Sequence, residues 1–256
     1  MERPVDSLLA APDLDIPFCL NWANENWTRR WDGLDQEILI AQRYSPLDDQ
    51  AFMRDLLRYF ADPRYIRING RPVLLVYLPG LLPDPAATVL RWREVCDRSD
   101  EQEPFLIMVQ TFLPVRDPRP EKFDAIAQFP PHGAQIAVTV DGICEDFEGS
   151  FMSYSKLMRS LSECWTDEYL TFPGAMPAWD NTPRRMNKGR IVAGTSPAAY
   201  QFWLEQSCDF VRRAYPPELR YVFVNSWNEW AEGAQLEPSE SAGYSWLNAT
   251  ARGLRL

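Results

Sequence analysis

Two hydrophobic patterns alternate along this chain. Short apolar runs, such as Val-Leu-Leu-Val from residue 73, are typical of buried strands, whereas apolar residues that recur every three or four positions are typical of amphipathic helices. The runs predict six strands, which begin near residues 16, 73, 105, 125, 175 and 221. Between them, helices are predicted to begin where a capping residue precedes a proline, at Ser45-Pro46, Asp84-Pro85 and Ser196-Pro197.

The alternation of strands with helices predicts a parallel α/β sheet, and polar and aromatic residues follow the far end of most strands. A TIM-type (β/α)8 barrel places its active site at that end of its strands. Because such a barrel needs eight strands and six of the eight are found, an incomplete barrel is expected. Residues 1–256 would then form a single N-terminally truncated barrel domain. An open six-stranded sheet is the alternative.

The densest cluster of reactive side chains follows the last predicted strand, in the run Asn-Ser-Trp-Asn-Glu-Trp-Ala-Glu-Gly at residues 225–233. Glu229 and Glu232 are three positions apart, so one tight turn after the strand would direct both carboxylates to the same cleft. Two carboxylates beside aromatic rings suit chemistry at a glycosidic bond. The other interpretation is that both carboxylates stabilise the start of a helix, where they favour the exposed amides of the first turn.

A loop of similar composition follows the first predicted strand, at residues 21–31, and contains three tryptophans. These rings either pack under the loop or line a sugar site, because carbohydrate sites combine aromatic faces with amide and carboxylate groups. Glu25 would bind sugar hydroxyls or pair with Arg29 or Arg30. The residues predicted to bind substrate are Trp22, Asn24, Glu25, Trp27, Gln110, Asp180, Asn181, Trp227, Asn228 and Trp230.

The chain is acidic, with 26 Lys+Arg against 36 Asp+Glu and a net charge of −10, which disfavours binding to nucleic acid. Arg184 and Arg185 either hold a phosphate of an activated sugar donor or lie on the surface as structural residues. The longest apolar run is about half the roughly 20 residues of a membrane span. No metal site is expected, because His132 is the single histidine, and it is predicted to be a loop residue rather than a catalytic base.

The cysteines and glycines narrow the class of protein further. Five cysteines without a Cys-x-x-Cys pair indicate neither a disulfide framework nor a zinc site, and they favour a reducing, cytoplasmic setting. No Gly-rich dinucleotide or phosphate loop follows any strand, which argues against a Rossmann or P-loop protein. No cofactor is therefore expected.

Three long motifs carry most of this chemistry: WANENWTRRWDG at residues 22–33, WDNTPRR at residues 179–185 and NEWAEG at residues 228–233. In this order they resemble the WbsX-type proteins, which are similar to glycoside hydrolase family 99. The resemblance implies a (β/α)8 barrel and an origin in bacterial polysaccharide, lipopolysaccharide or O-antigen gene clusters. Members of the family carry an aromatic first strand and a tyrosine-rich second strand upstream, and neither is present here, in agreement with the strand count.

The resemblance also implies a function, that of a carbohydrate-active enzyme on glycosidic bonds of bacterial surface polysaccharide. In family 99 hydrolases the first glutamate of the last motif, Glu229 here, takes the proton of the sugar's own 2-hydroxyl. The second, Glu232, acts as general acid and then as general base, and apolar walls such as Trp227 and Trp230 would help it to hold a proton. The expected partner is an oligosaccharide or polysaccharide, with an activated sugar donor if the reaction is transfer. A non-catalytic carbohydrate-binding barrel is the alternative function.

Overall fold

A computed structural model of the chain describes residues 3–29, 34–111, 117–133, 137–140 and 143–255. Arg30 and residues 31–33 of the first motif lie outside these ranges. The helices described are α1 Arg3–Leu9, α2 Pro46–Phe60, α3 Pro85–Arg98, α4 Tyr154–Ser162, α5 Thr182–Arg185, α6 Pro197–Ala214 and α7 Ser245–Leu254. Short 3-10 segments are Pro79–Leu81, Arg119–Glu121, Met186–Lys188, Pro217–Leu219 and Trp230–Glu232.

The strands are short, and most have one or two partners. They are β1 Leu20–Trp22, β2 Trp27–Arg29, β3 Leu34–Ile40, β4 Arg67–Ile68, β5 Arg71–Val76, β6 Phe105–Gln110, β7 Ala125–Gln128, β8 Ala137–Val138, β9 Ser150–Ser153, β10 Thr171–Phe172, β11 Gly174–Ala175, β12 Arg190–Ala193, β13 Phe223–Val224, β14 Asn228–Glu229 and β15 Ala234–Gln235.

The predicted helix starts are confirmed by their capping hydrogen bonds. The Ser45 hydroxyl accepts from the main-chain N of Asp48 at 3.2 Å, and proline occupies the first turn of α2. Asp84 and Ser196 cap α3 and α6 in the same way, with distances of 2.9 and 3.1 Å. Each cap satisfies an amide that the helix leaves unpaired, which is why the Ser-Pro and Asp-Pro pairs locate these starts from the sequence.

Contacts divide the chain into two compact units, and the first comprises Met1–Glu25, Gln42–Val109 and Asp117–Ala125. In it β5 lies between β1 and β6, and all three strands are parallel, with Leu74 opposite both Leu20 and Leu106. A hairpin precedes the central strand of this set: β4 pairs with β5 antiparallel, and Asn69 and Gly70 take positive φ in the turn. The buried core residues of this unit are Met53, Leu56, Tyr59, Phe60, Tyr65, Leu74, Val76, Leu82, Val89, Trp92, Val95, Cys96, Leu106, Met108 and Phe123.

The second unit comprises Asn26–Ala41, Gln110–Arg116 and Ile126–Leu256. Three parallel pairs occur in it, β7 with β10, β11 with β13, and β9 with β12, and β8 joins β9 antiparallel. The helices α4, α6 and α7 supply most of its core, whose buried residues are Met152, Tyr154, Leu157, Leu161, Ala175, Met176, Trp179, Val192, Tyr200, Trp203, Leu204, Cys208, Ala234, Leu236 and Ala249.

The α/β class with parallel strands is confirmed, and most of the predicted strands lie close to observed ones. One detail of the prediction is wrong: the strand near 175 is two short strands separated by Pro173. The β9–β12 pair was missed because its runs are only four residues long. Closure into an eight-stranded barrel, the open-sheet alternative and the single truncated domain over residues 1–256 stay predictions.

Candidate active site

The last motif forms a small hairpin directly after a parallel strand. β13 ends at Val224, and β14 then pairs antiparallel with β15, with Glu229 opposite Ala234. The 3-10 segment Trp230–Glu232 makes the turn. Glu229 is thus the last strand residue before the turn, and Glu232 is the last residue of the turn. The expected tight turn after the strand is confirmed, although it joins two strands rather than starting a helix.

Ser226 and Asn225 fix the base of this hairpin. The Ser226 hydroxyl donates to the main-chain O of Ala234 at 2.6 Å and accepts from the main-chain N of Glu229 at 3.2 Å. Asn225 is buried, and its Nδ2 donates to the main-chain O of Pro130 at 2.7 Å. The peptide bond between Asn225 and Ser226 is cis. The main chain at Glu229 is therefore held by a side chain three residues before it.

Gly233 brings the hairpin against the loop that begins at Asp180. The main-chain N of Asp180 donates to the main-chain O of Glu232 at 2.7 Å. Gly233 has φ of +61°, and a Cβ atom there would lie 3.0 Å from the main-chain N of Asp180. A residue with a side chain would be strained in the left-handed conformation, and its Cβ would crowd the main chain of Asp180. These two effects explain the glycine at this position.

The side chains of Asp180 and Asn181 organise the loop that carries α5. Asp180 Oδ1 accepts from the main-chain N of Thr182 at 2.9 Å and from its hydroxyl at 2.7 Å. Asn181 Oδ1 accepts from the main-chain N of Arg190 at 2.6 Å. Both oxygens are used within the protein, so the contacts described are structural. Binding of sugar hydroxyls by Asp180 and Asn181 stays a prediction.

Arg184, on this loop, contacts Glu232, which is the second glutamate of the last motif. Arg184 Nη1 donates to Glu232 Oε1 at 2.6 Å, and the two side chains are 25% and 21% exposed. A charge-assisted hydrogen bond of this length favours the ionised form of the carboxyl. Glu232 is therefore held at its main chain by Asp180 and at its carboxylate by Arg184, four residues further along the same loop.

The expectation that tryptophan walls help the Glu232 carboxyl to hold a proton stays a prediction. Trp227 and Trp230 are 51% and 46% exposed, and the Trp230 indole Nε1 donates to Glu237 Oε2 at 2.7 Å. Half-exposed rings desolvate a neighbouring group only weakly, whereas a guanidinium in contact acts strongly in the opposite direction. Asn228, also exposed, lies opposite Gln235 in the hairpin. Roles for Trp227, Asn228 and Trp230 as sugar contacts stay predictions.

Gln110 and Gln128, each at the end of a strand, differ in the hydrogen bonds that their side-chain amides make. Both polar atoms of the Gln128 amide are hydrogen-bonded: Nε2 donates to the main-chain O of Leu161, and Oε1 accepts from the Trp165 indole and the main-chain N of Gly174. Gln110 is buried, packs against Gly133, and its amide has no hydrogen-bond partner among the described residues. Gln128 is therefore structural, and substrate binding by Gln110 stays a prediction.

His132 lies in the loop after β7, as predicted. Its ring stacks on Phe129 with 5.6 Å between ring centroids, and it meets the edge of Trp179 at 6.0 Å. These are packing contacts of a loop residue. Within the part of the chain that the structure describes, no group of three His, Cys, Asp or Glu side chains is arranged to hold a metal ion.

Three predicted substrate residues belong to the first unit. Asn24 is fully buried: its Nδ2 donates to the main-chain O of Leu78 at 2.8 Å, and its Oδ1 accepts from the main-chain N of Leu78 at 2.7 Å. The Tyr44 hydroxyl donates to the main-chain O of Asn24, and burial raises the pKa of that hydroxyl. Trp22 stacks on Phe52 at 4.3 Å between centroids and packs against the core.

These contacts favour the packing interpretation for Trp22 and give Asn24 a structural role, so that sugar binding by either residue stays untested. Glu25 is half-buried. Trp27 belongs to the second unit, where it lies in β2 and is 43% exposed. Arg29, one proposed partner of Glu25, pairs with Glu37 at 3.1 Å.

Comparison with known proteins identifies the family. Residues 1–250 match the sequence description of the family named Glycosyltransferase WbsX. The chain belongs to the WbsX glycosyltransferase family. This is a family of carbohydrate-active enzymes, and the match covers both the Asp180–Arg184 loop and the hairpin of Glu229 and Glu232.

Two proteins from Xanthomonas campestris pv. campestris, strains ATCC 33913 and B100, are similar to this chain in sequence. Both are named WxcX and described as uncharacterised. Each is 42% identical to this chain over 257 residues, which is 99% of this chain and 37% of the relative. The chain therefore spans little more than a third of the length of these relatives.

Two solved structures with a similar fold are a glycoside hydrolase and a glycoside hydrolase-like protein. A GH99 endo-alpha-mannosidase from Bacteroides thetaiotaomicron has a TM-score of 0.54 at 17% identity, over 98% of this chain and 68% of that chain. A glycoside hydrolase-like protein has a TM-score of 0.55, also at 17% identity, over 82% of this chain and 61% of that chain. At this identity the likeness establishes the fold alone.

The sequence alone did not identify three residues that build the site. Asn225 and Ser226 were visible only as part of the motif, and their hydrogen bonds to Pro130 and Ala234 depend on the folded chain. Arg184 was noticed as a cation, but its pairing with Glu232 joins residues 48 positions apart.

In the described ranges, no helix combines the length and apolar character needed to cross a membrane.

Proposed function

We propose that this chain is the catalytic part of a carbohydrate-active enzyme that acts on glycosidic bonds of bacterial surface polysaccharide, of the lipopolysaccharide or O-antigen type. Glu229 and Glu232 are its working carboxylates, and the sugar lies at the end of the parallel strands, in a (β/α)8 barrel. The substrate is an oligosaccharide or polysaccharide, joined by an activated sugar donor if the reaction is transfer. Five free thiols in the chain suit a reducing, cytoplasmic compartment.

One observation carries this proposal: in the hairpin that follows the parallel strand β13, Glu229 immediately precedes a three-residue turn and Glu232 ends that turn. Preorganised carboxylates on a rigid element are what proton transfer at a glycosidic bond requires. Ser226 fixes the main chain of Glu229, and Asp180 and Arg184 fix Glu232. No side-chain hydrogen bond from Glu229 caps this turn, which favours the catalytic interpretation over helix capping.

The experiment measures sugar release and sugar transfer on purified surface polysaccharide of the source bacterium, with and without nucleotide-sugar donors. Replacement of Glu229→Gln removes the charge but keeps the shape, and we expect turnover to fall by about 10²–10⁴-fold while oligosaccharide binding is retained. Full activity of this variant would refute the role of Glu229. Binding without turnover by the unaltered protein, under all donor conditions, would favour the non-catalytic carbohydrate-binding barrel.

A further inference from the structure

The contact between Arg184 and Glu232 bears on which bond the proposed enzyme breaks. We propose that Arg184 binds the phosphate leaving group of an activated sugar donor, so that the reaction is sugar transfer and Glu232 acts on the acceptor as a base. This inference rests on the proposed function of the Glu229 and Glu232 pair, and it adds the class of donor and the role of Arg184.

The side chains of Arg184 and Glu232 are in direct contact. Arg184 Nη1 lies 2.6 Å from Glu232 Oε1, and the carboxylate that results is the wrong state for protonating a sugar-alcohol leaving group. It is the right state for accepting a proton. A phosphate leaving group needs no proton from the enzyme, because it departs as a stable anion that a cation can neutralise.

The Arg184 guanidinium has more N–H donors than the contact with Glu232 uses. Among the described residues its guanidinium makes one hydrogen bond, through Nη1, and a quarter of the side chain is exposed. Guanidinium groups carry five N–H donors in a planar fork that matches phosphate oxygens in pairs. The Arg184 group can therefore bind a phosphate through its remaining donors without first leaving Glu232.

The segment from residue 184 to residue 190 is positively charged. In a chain of net charge −10, residues 184–190 hold four cations, Arg184, Arg185, Lys188 and Arg190, and no carboxylate. Arg190 is tied to the same loop through the hydrogen bond of its main-chain N to Asn181, and its guanidinium has no partner in the part of the chain that is described. Lys188 Nζ lies 3.5 Å from Glu148 Oε2, and both side chains are exposed. This basic segment attracts an anion next to Glu232.

The step balances with two substrates, a donor and an acceptor. The bond between the anomeric carbon and the phosphate oxygen breaks, and its electron pair leaves with the phosphate, whose charge Arg184 neutralises. An acceptor hydroxyl oxygen forms the new bond to the anomeric carbon, and its proton passes to the Glu232 carboxylate. No further reactant is consumed.

Binding of inorganic pyrophosphate, measured by isothermal titration calorimetry on the intact chain, tests the assignment without a turnover assay. We expect Arg184→Met to weaken binding by at least about 10-fold, since a charge-assisted hydrogen bond is lost, and Arg184→Lys to bind with intermediate affinity. Arg213→Gln removes an exposed cation on α6, outside the basic segment, and should change the affinity less than about twofold.

Two charge-matched variants separate a specific effect from a general one. Glu232→Gln removes the competitor for Arg184 and should tighten pyrophosphate binding several-fold more than Glu237→Gln, which removes the same charge from the carboxylate bonded to Trp230. Uridine diphosphate and geranyl diphosphate serve as further probes. Tighter binding of either one than of pyrophosphate, again dependent on Arg184, supports the proposal and shows whether a nucleoside or a lipid carries the donor.

Equal pyrophosphate affinity in the unaltered chain, Arg184→Met and Arg213→Gln would overturn the proposal, as would an absence of binding at millimolar concentration. That result would leave the proposed function standing if Glu232→Gln still abolished turnover of a glycoside. The converse result, pyrophosphate binding through Arg184 with full turnover in Glu232→Gln, would refute the proposed function and the base role of Glu232.

Discussion

Arg184 Nη1 and Glu232 Oε1 are joined by a hydrogen bond of 2.6 Å across 48 positions of sequence. The same loop donates its Asp180 main-chain N to the main-chain O of Glu232 at 2.7 Å. Two motifs of the WbsX family are thus physically coupled, one supplying the carboxylate and the other the cation that fixes it.

This coupling is measurable as an interaction energy. In a double-mutant cycle with Arg184→Met and Glu232→Gln, urea unfolding should give a coupling free energy of about 0.5–1.5 kcal/mol, because the pair is mostly shielded from solvent yet not fully buried. The cycle is run at low and at high salt. Additive effects of the two substitutions at low salt would show that the pair does not form in solution.

Asn24 should be needed for stability, whatever else it does. Its amide pairs with both main-chain groups of Leu78, so Asn24→Ala leaves a buried donor and a buried acceptor unpaired, and we expect a loss of about 2–4 kcal/mol in the free energy of unfolding. Asn21→Ala, at an exposed position of β1, is the control and should cost less than about 0.5 kcal/mol. Similar stabilities for the two variants would contradict a structural role for Asn24.

Gly233 and Gly243 allow strain and crowding to be separated. Both have positive φ, +61° and +53°, but a Cβ would press on the Asp180 main chain only at Gly233. Gly243→Ala should cost about 1 kcal/mol from the left-handed conformation alone, and Gly233→Ala should cost at least about 1 kcal/mol more. Thermal unfolding of both variants provides the comparison, and an equal shift of Tm would mean that the hairpin and the loop are not in close contact.

The pH dependence of stability should reveal the Asp62 and Arg64 pair. Side-chain and main-chain hydrogen bonds from Arg64 lower the pKa of Asp62 from 3.8 to about 2. Because the folded-state pKa is depressed, the stabilisation is complete above the unfolded value and is lost as the pH falls from about 4 through about 2. The urea midpoints of the unaltered chain and of Asp62→Asn should therefore differ at pH 6 and converge by about pH 2. A constant difference across this range would contradict the assignment.

Local signals allowed much of the fold to be predicted from the sequence. Ser45, Asp84 and Ser196 each bond a main-chain amide three residues further on, so a short window contains both partners. The Asn24 and Leu78 pair spans 54 positions, and Arg184 and Glu232 span 48, so no window reveals them. The residue types of the site were therefore predictable, while the contact between Arg184 and Glu232 was not, because its two partners lie in distant segments.

The most direct test of the catalytic role of Glu232 compares two charge-matched variants, one in the hairpin and one just after it, in the same assay. Glu232→Gln and Glu237→Gln each remove one carboxylate, and turnover is measured on surface polysaccharide with and without sugar donors. We predict that Glu232→Gln loses about 10²–10⁴-fold in turnover number while its Tm stays within a few degrees of that of Glu237→Gln, which keeps its activity. Turnover by Glu232→Gln within threefold of that by Glu237→Gln would contradict the assignment of Glu232 to the catalytic pair.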